Sequence, residues 1–483
     1  MRRRRTGPVL FPNGPQTGRV PEIQGGVVSE LSPRRGMIPA VVAAAAIVAL
    51  VVAAILVVEH ALPAAPAPLT DEKTASGGVD LRCPENEPIT QELLSRSTWT
   101  MCWRVDSSRG LVLEDVHFAP ADHKPVQVLA ELSIGQLEVP YDTGLRNTED
   151  ITTQGFGGPQ MMTLTETECL GERLETYLPK VGDGSLGGGG AKRSVLCQEV
   201  VDGGIAYRSG EGGGAGAEVA RRTELRLATV SKVGWYEYVS QYTFGSDGTI
   251  RSDLGATGDL SPEDYGDDPA HGWPVGPGET DYATSHSHNA VWRVHWALGG
   301  QGAQAVEQYD AAPTGEQGPR APLVAGKLTR ITHEGTAEAA DRRWWRVVNP
   351  DVLNEDGHEI SYQVDLGATT PFELTQDHHH DDADDAGYAI AFTEADDCQL
   401  FATANKEGTC GSGVLDFAQD EAELSDVVTW VAVGFHHVAR DEDQSPMEMH
   451  WQGFTLTPRD LTAQRVGPPP ARQDVNGKPA ELH

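Results

Sequence analysis

His286 and His288 form an H-x-H pair in SHSHNAVWRV, a segment that runs directly into a strand-like pattern. On a strand, residues i and i+2 project from the same face, so both imidazoles can address one metal ion. A pair of this kind in a chain with 16 histidines says little until a third ligand is found. His436 and His437 lie in WVAVGFHHVARDED, another apolar, β-rich run, with His437 149 residues after His288. Neighbours on a strand face opposite ways, so at most one of the two can join the pair. Three imidazoles from two strands, with no thiolate nearby, suit Cu(II) or Zn(II), and spacing alone does not choose between them. In VGWYEYVSQYTFGSDGTI, Tyr236 and Tyr238 flank Glu237, with Tyr236 50 residues before His286. Tyrosines on strands ordinarily pack, and so does this pair unless other residues give it a role. The HHHDDADD run (378–385) reads as a solvated turn. G-x-S-x-G, H-E-x-x-H and Walker patterns are missing from the sequence, which removes the usual anchors of serine hydrolases, zincins and P-loop enzymes.

The elements that must carry these side chains are short and apolar. Strand-like runs occur at 111–118, 126–134, 223–230, 238–244, 290–298, 343–349, 360–366, 388–393 and 427–438, bounded by turn residues, and amphipathic helical periodicity is scarce. The expected fold is therefore mainly β, a large antiparallel β-sandwich. Gly-rich stretches at 182–190 and 210–216 open no helix after a strand and read as loops. All six cysteines (83, 102, 169, 197, 398, 410) lie in this body, in three sequence-local pairs without C-x-x-C, so disulfides in an oxidising compartment are favoured over a zinc cluster.

Over 483 residues the formal net charge is −34, and its distribution is uneven. Residues 1–36 carry seven arginines against Glu22 and Glu30, a net of +5, which leaves −39 for everything after Gly36. Such a body repels nucleic acid and favours cationic small molecules. Residues 37–58 are 22 uncharged positions, long enough as a helix to cross a bilayer. Arg34 and Arg35 beside them predict a single-pass cell-membrane protein with a cytoplasmic N-terminus and an extracellular body. The expected organisation is a basic cytoplasmic segment (1–36), a transmembrane helix (37–58), an Ala/Pro-rich linker (59–82), a catalytic domain (83–465) and a flexible tail (466–483).

Taken in order, these pieces resemble the copper amine oxidases. Lys232-Val-Gly-Trp235-Tyr236-Glu237-Tyr238 matches the family's Thr-x-x-Asn-Tyr-Asp/Glu-Tyr signature, followed by a family-like DGTI and ATG. His286 and His288 match its H-x-H, and GFHHVARDED matches Gly-x-x-His-x-x-x-x-Glu-Asp, which selects His437 as third ligand. EVPYDTGLRNTEDITTQGFGG is similar to the segment carrying the catalytic aspartate, and TECLG with SVLCQE to the halves of the active-site disulfide. The resemblance implies copper(II) on His286, His288 and His437, and topaquinone (TPQ) derived from Tyr236. It makes Asp150 the general base and Tyr141 the tyrosine that hydrogen-bonds the cofactor, and pairs Cys169 with Cys197. The implied reaction uses O2 to convert a primary amine to aldehyde, ammonia and hydrogen peroxide, in a homodimer. The alternative is a non-catalytic copper-binding cell-surface module of the same fold, because Lys232 and Trp235 replace the signature's Thr and Asn. Two further departures are His295 and Ala297, at the acidic positions of the family's second, structural metal site, so that site is expected to be missing. The family's small N-terminal domains are likewise expected to be replaced by the membrane anchor.

Overall fold

The computed structural model describes residues 79–177, 192–209, 218–367, 369, 387–405, 411, 413–419, 422–463 and 466, with two-residue strands at 474–475 and 478–479. The expected transmembrane helix at 37–58, the glycine-rich stretches 182–190 and 210–216 and the 378–385 run lie outside the described residues. Among the described residues, no helix is long and apolar enough to cross a membrane.

The body is built from antiparallel strands. From its start these are β1 (Ile89–Glu92), β2 (Thr98–Asp106), β3 (Gly110–Ala119), β4 (Val126–Pro140) and β5 (Asn147–Glu149), then the single turn α1 (Asp150–Thr153), β6 (Glu172–Tyr177) and β7 (Lys192–Ser209). There follow β8 (Glu218–Val233), β9 (Tyr236–Gly245), β10 (Ile250–Gly258), the short β11 (Tyr265–Gly266), β12 (Gly272–Pro274) and β13 (Tyr282–Thr284), then β14 (His286–Trp296), β15 (Ala305–Pro313) and β16 (Val324–Ile331). The chain continues through β17 (Gly335–Ala337), β18 (Trp344–Leu353), β19 (Glu359–Asp365), β20 (Ile390–Glu394), the helical turn α2 (Val414–Phe417), β21 (Val427–His437) and β22 (Met447–Arg459).

Among the described residues, one sheet has the order β1-β2-β3-β4-β14-β21-β20-β17, with β5 also on β4, and a second runs β16-β15-β18-β19-β22-β10-β9-β8-β7-β6. Large side chains from the two inner faces interdigitate. Trp99 of the first sheet packs on Phe244 of the second with ring centroids 5.0 Å apart, and Trp292 meets Phe454 at 5.4 Å. A buried indole needs a partner for its N–H, and Trp99 Nε1 donates to the Gly245 carbonyl at 2.9 Å, which ties the sheets together in a polar as well as an apolar sense. The expected sandwich is what the chain forms. Each fully buried aromatic of this kind contributes on the order of 2–3 kcal/mol of burial, so the Trp- and Phe-lined seam fixes how the sheets sit.

Two disulfides, Cys83–Cys102 and Cys169–Cys197, staple the body, and Cys398 is disulfide-bonded as well. Cys169–Cys197 is the pair the family resemblance implied. His295 Nε2 meets the Asp426 carboxylate at 2.8 Å.

Candidate metal centre and its neighbours

The site lies where β14 and β21 of one sheet face the start of β9 in the other. Register decides which histidines meet. His286 pairs directly with His437 across β14 and β21, and Ser287 pairs with His436. His288, two residues on, shares the inner face with His286, and all three imidazoles are buried. His436 points outward instead, with Nε2 3.1 Å from the Asp142 carboxylate. The nitrogens of His286, His288 and His437 lie within 4.8 Å of one another.

Their partners assign the tautomers. Thr284 O accepts from His286 Nδ1 at 3.1 Å, which leaves Nε2 as a lone pair. Asp443 Oδ2 accepts from His437 Nε2 at 3.2 Å, which leaves Nδ1 as a lone pair. Those two lone pairs face each other at 3.4 Å, and His288 Nδ1 is buried with no partner at all. A buried His437 Nδ1 lone pair aimed at another acceptor and an orphaned His288 nitrogen are costly in a protein interior unless a cation lies among them. Burial, reinforced by the neighbouring imidazoles, lowers His286 to about 3 and His288 well below the ordinary value. Burial lowers His437 too, with Asp443 pulling against it. All three are therefore neutral, as metal ligands must be. The donor set fits a divalent copper or zinc ion.

Asp443 was not singled out from the sequence, although the Glu-Asp end of the GFHHVARDED motif contained it. It is buried and holds His437 on Oδ2, while His450 Nε2 lies 3.2 Å from Oδ1 and the Arg440 backbone N–H donates to Oδ2 at 3.0 Å. Burial works against its ionisation, but these donors outweigh it and keep the carboxyl below the usual range.

Tyr236 is the first residue of β9, immediately after the two-residue turn Gly234–Trp235 that closes the β8–β9 hairpin. Its hydroxyl donates to His286 Nε2 at 2.7 Å, so the phenol reaches directly into the group of imidazoles. Burial pushes its pKa well above the ordinary value. Gly258, paired with Tyr236 on β10, has φ +99°, and a Cβ there would lie 2.7 Å from the Trp235 carbonyl oxygen. Trp235 itself, which the sequence placed beside the reactive ring, is 40% exposed at the hairpin tip. Lys232 Nζ reaches Glu237 across the hairpin at 3.0 Å, a surface pair.

Asp150 opens α1, immediately after β5 folds back on β4 through the Glu138–Glu149 pair. It is buried, and the Tyr238 hydroxyl donates to its Oδ2 at 3.5 Å. Desolvation raises its carboxyl to about 6, against the opposing hydrogen bonds from Thr148 and Tyr238 and the charge of Arg146. The Tyr238 ring stacks on the Tyr236 ring with centroids 5.9 Å apart, so one tyrosine bridges the carboxylate to the phenol. Tyr141 stacks on His286 at 4.8 Å, while its hydroxyl is hydrogen-bonded to Asp264, which also takes Arg146 Nη1 at 2.6 Å. Tyr141 thus steadies the imidazole, and its hydroxyl bond goes to a carboxylate.

Three buried neutral imidazoles, an inserted phenol and a raised carboxylate thus meet inside a β-sandwich. Residues 88–466 match the copper amine oxidase enzyme domain, and the chain belongs to the copper amine oxidase family. It is 27% identical to histamine oxidase of Arthrobacter globiformis over 405 residues, covering 79% of this chain and 58% of the relative. To primary amine oxidase 2 of Arabidopsis thaliana it is 24% identical over 408 residues, covering 80% of this chain and 59% of the relative. It thus spans under three fifths of the length of these relatives. The copper-containing benzylamine oxidase of Hansenula polymorpha shares the fold, with a TM-score of 0.65 at 20% identity over 83% of this chain and 66% of that one. The Aspergillus nidulans amine oxidase does so with a TM-score of 0.61 at 18% identity, over 84% and 56% of the two chains.

Proposed function

We propose that this protein oxidises primary amines to aldehydes with O2, releasing ammonia and hydrogen peroxide. The stoichiometry balances with one water consumed per amine. The observation that carries the reading is the Tyr236 hydroxyl at 2.7 Å from a lone-pair nitrogen of the His286, His288 and His437 group. These three residues would hold copper(II). Bound copper supplies the redox chemistry with O2 that converts the Tyr236 ring to topaquinone, the electron acceptor for the amine.

The remaining roles belong to the protein's own groups. Asp150 takes the proton from the substrate carbon that bears nitrogen, a task suited to a carboxylate raised to about 6 by burial. The Tyr238 hydroxyl holds Oδ2 of that carboxylate, and Thr148 adds a second hydrogen bond to the group. Thr284 and Asp443 fix two imidazoles in the tautomers that present lone pairs. Tyr141 braces the His286 ring through its stacked face. Lys232 and Trp235, the departures that favour a non-catalytic copper module, both lie on the outer side of the hairpin, and this placement supports the oxidase reading.

The protein is further proposed to sit in the cell membrane by one helix, with the body extracellular and dimeric; the disulfides support an oxidising compartment. The decisive experiment is a quinone-selective redox stain on the full-length chain, purified metal-free and then given copper in air. Copper-dependent staining that Tyr236→Phe abolishes, together with peroxide release on adding amine, is the expected result. Stoichiometric copper without stain would establish the binding module in its place.

A further inference from the structure

We propose that Gln136 is a positioning residue for the Asp150 base, its carboxamide holding in place the turn that carries that carboxylate. The inference rests on the reading of Asp150 given above. Gln136 lies on β4, where the pairing with β14 slips by one residue: Val291 faces Gln136, Trp292 faces Ile134, and Gly135 is the extra residue. A side chain at position 135 would press on the Trp430 ring, since a Cβ there would lie 3.1 Å from an indole carbon. The bulge turns Gln136 out of simple inside–outside alternation, and the residue is completely buried.

Its amide is used in full. Oε1 accepts the Leu137 N–H at 3.1 Å and the Ile151 N–H at 3.2 Å, while Nε2 donates to Thr152 Oγ1 at 3.0 Å, Thr403 Oγ1 at 3.1 Å and the Thr403 carbonyl at 3.3 Å. Two backbone N–H groups can only donate, so the orientation of the amide follows from its surroundings. The partners Ile151 and Thr152 are the two residues after Asp150. Their helical turn is four residues long and has no side-chain cap at its start, so it has little stability of its own. Gln136 supplies the missing acceptor from a neighbouring strand and, through Thr403, links the turn to the 401–405 segment. A hydrophobic residue here strands the Ile151 N–H. A glutamate keeps that acceptor but turns a second carboxylate oxygen toward the Thr403 carbonyl.

The test uses the full-length chain with Gln136→Met and Gln136→Glu. With copper and amine, Gln136→Met is expected to lower kcat ten- to a hundredfold with KM changed less than threefold. The isotope effect of the α-deuterated amine should rise, with copper content and redox stain as in the parent. Gln136→Glu, which retains the Ile151 acceptor, should recover part of kcat while its added negative charge moves the acid limb of the pH profile upward. In the copper-free protein, amide exchange at Ile151 should quicken at least tenfold in Gln136→Met and much less in Gln136→Glu. That last measurement needs no turnover. If the parent chain oxidises no amine, the proposed function fails, and Ile151 exchange still decides whether Gln136 holds the turn. Unchanged Ile151 exchange in Gln136→Met overturns the proposal, as does an unaltered kcat, isotope effect and pH profile in both folded variants.

Discussion

Asp150 is the side chain whose surroundings commit it most sharply to a single task. A carboxylate raised from 3.8 to about 6 is protonated in acid and ionised at neutrality, so kcat/KM should climb through about pH 6 and stay high above it. Asp150→Asn should leave Tyr236-dependent staining intact and lower turnover by about 10³-fold; near-parent turnover in that variant would refute the assignment of the base. The same shift carries a stability consequence of opposite sign. Between pH 3.8 and 6 the folded state binds more protons than the unfolded one, so stability falls as pH rises through that window. The penalty is absent below it and fully present above it, up to about 3 kcal/mol. Asp150→Asn should therefore melt higher than the parent at pH 7 and level with it at pH 3.5, a comparison that calorimetry makes directly. Asp443 acts one step further out. Asp443→Asn removes the anion on His437 Nε2, and copper affinity, read by competition with a chelator, should drop about 10- to 100-fold. An unchanged affinity would mean that Asp443 only packs the loop.

The hairpin β8–β9 presents Tyr236, and its tip shows how far element geometry governs what a local motif can do. The sequence set Trp235 against the reactive ring because the two are adjacent; the tight turn instead sends the indole outward and leaves its carbonyl to accept the Asp259 N–H at 3.0 Å. Restoring the family's residues with Lys232→Thr and Trp235→Asn should change stability by less than about 0.5 kcal/mol, as surface changes do, and leave the rate of stain development within about twofold. A tenfold faster rate would show that Trp235 restrains the ring after all. Across the hairpin, Gly258→Ala should destabilise by about 2 kcal/mol in urea titration, since its backbone and the Trp235 carbonyl both exclude a Cβ. Strands rich in β-branched and aromatic residues, such as β14 and β21, were readable as sequence patterns, and their two-residue period put His286 and His288 on one face. What could not be read was register: the pairing of His286 with His437 joins residues 151 positions apart, and only folding chooses it. β10 and β22 were missed because IRSDLGATG and MEMHWQGFTLTPR interrupt their apolar pattern with glycine and polar residues, and β16 because it is exposed along most of its length. Gln136 escaped for a related reason, since its importance comes from hydrogen bonds across elements that leave no local signal, whereas Asp443 stood within the Glu-Asp end of the histidine motif, six residues from His437.

At the scale of the whole molecule, the acidic charge bears on the proposed amine substrate. The chain carries a net −34 at neutrality, and carboxylates stand close to the site itself, with Asp264 bonded to Tyr141 and Asp142 beside His436 on the outer face of β21. A protonated amine approaching such a body is drawn in by a long-range field, and the field weakens as salt shortens the screening length from about 30 Å at 0.01 M to about 8 Å at 0.15 M. The effect acts on encounter, so it should appear in kcat/KM and leave kcat alone. It should also scale with substrate charge. Raising ionic strength from 0.01 M to 0.2 M is expected to lower kcat/KM several-fold for a dicationic diamine and about half as far on a logarithmic axis for a monocationic amine of similar length. Viscosity-matched steady-state kinetics with the two substrates measures both slopes. Equal slopes would mean that the acidity serves solubility only, and a kcat that falls with salt while kcat/KM holds would place the salt effect on a step after binding.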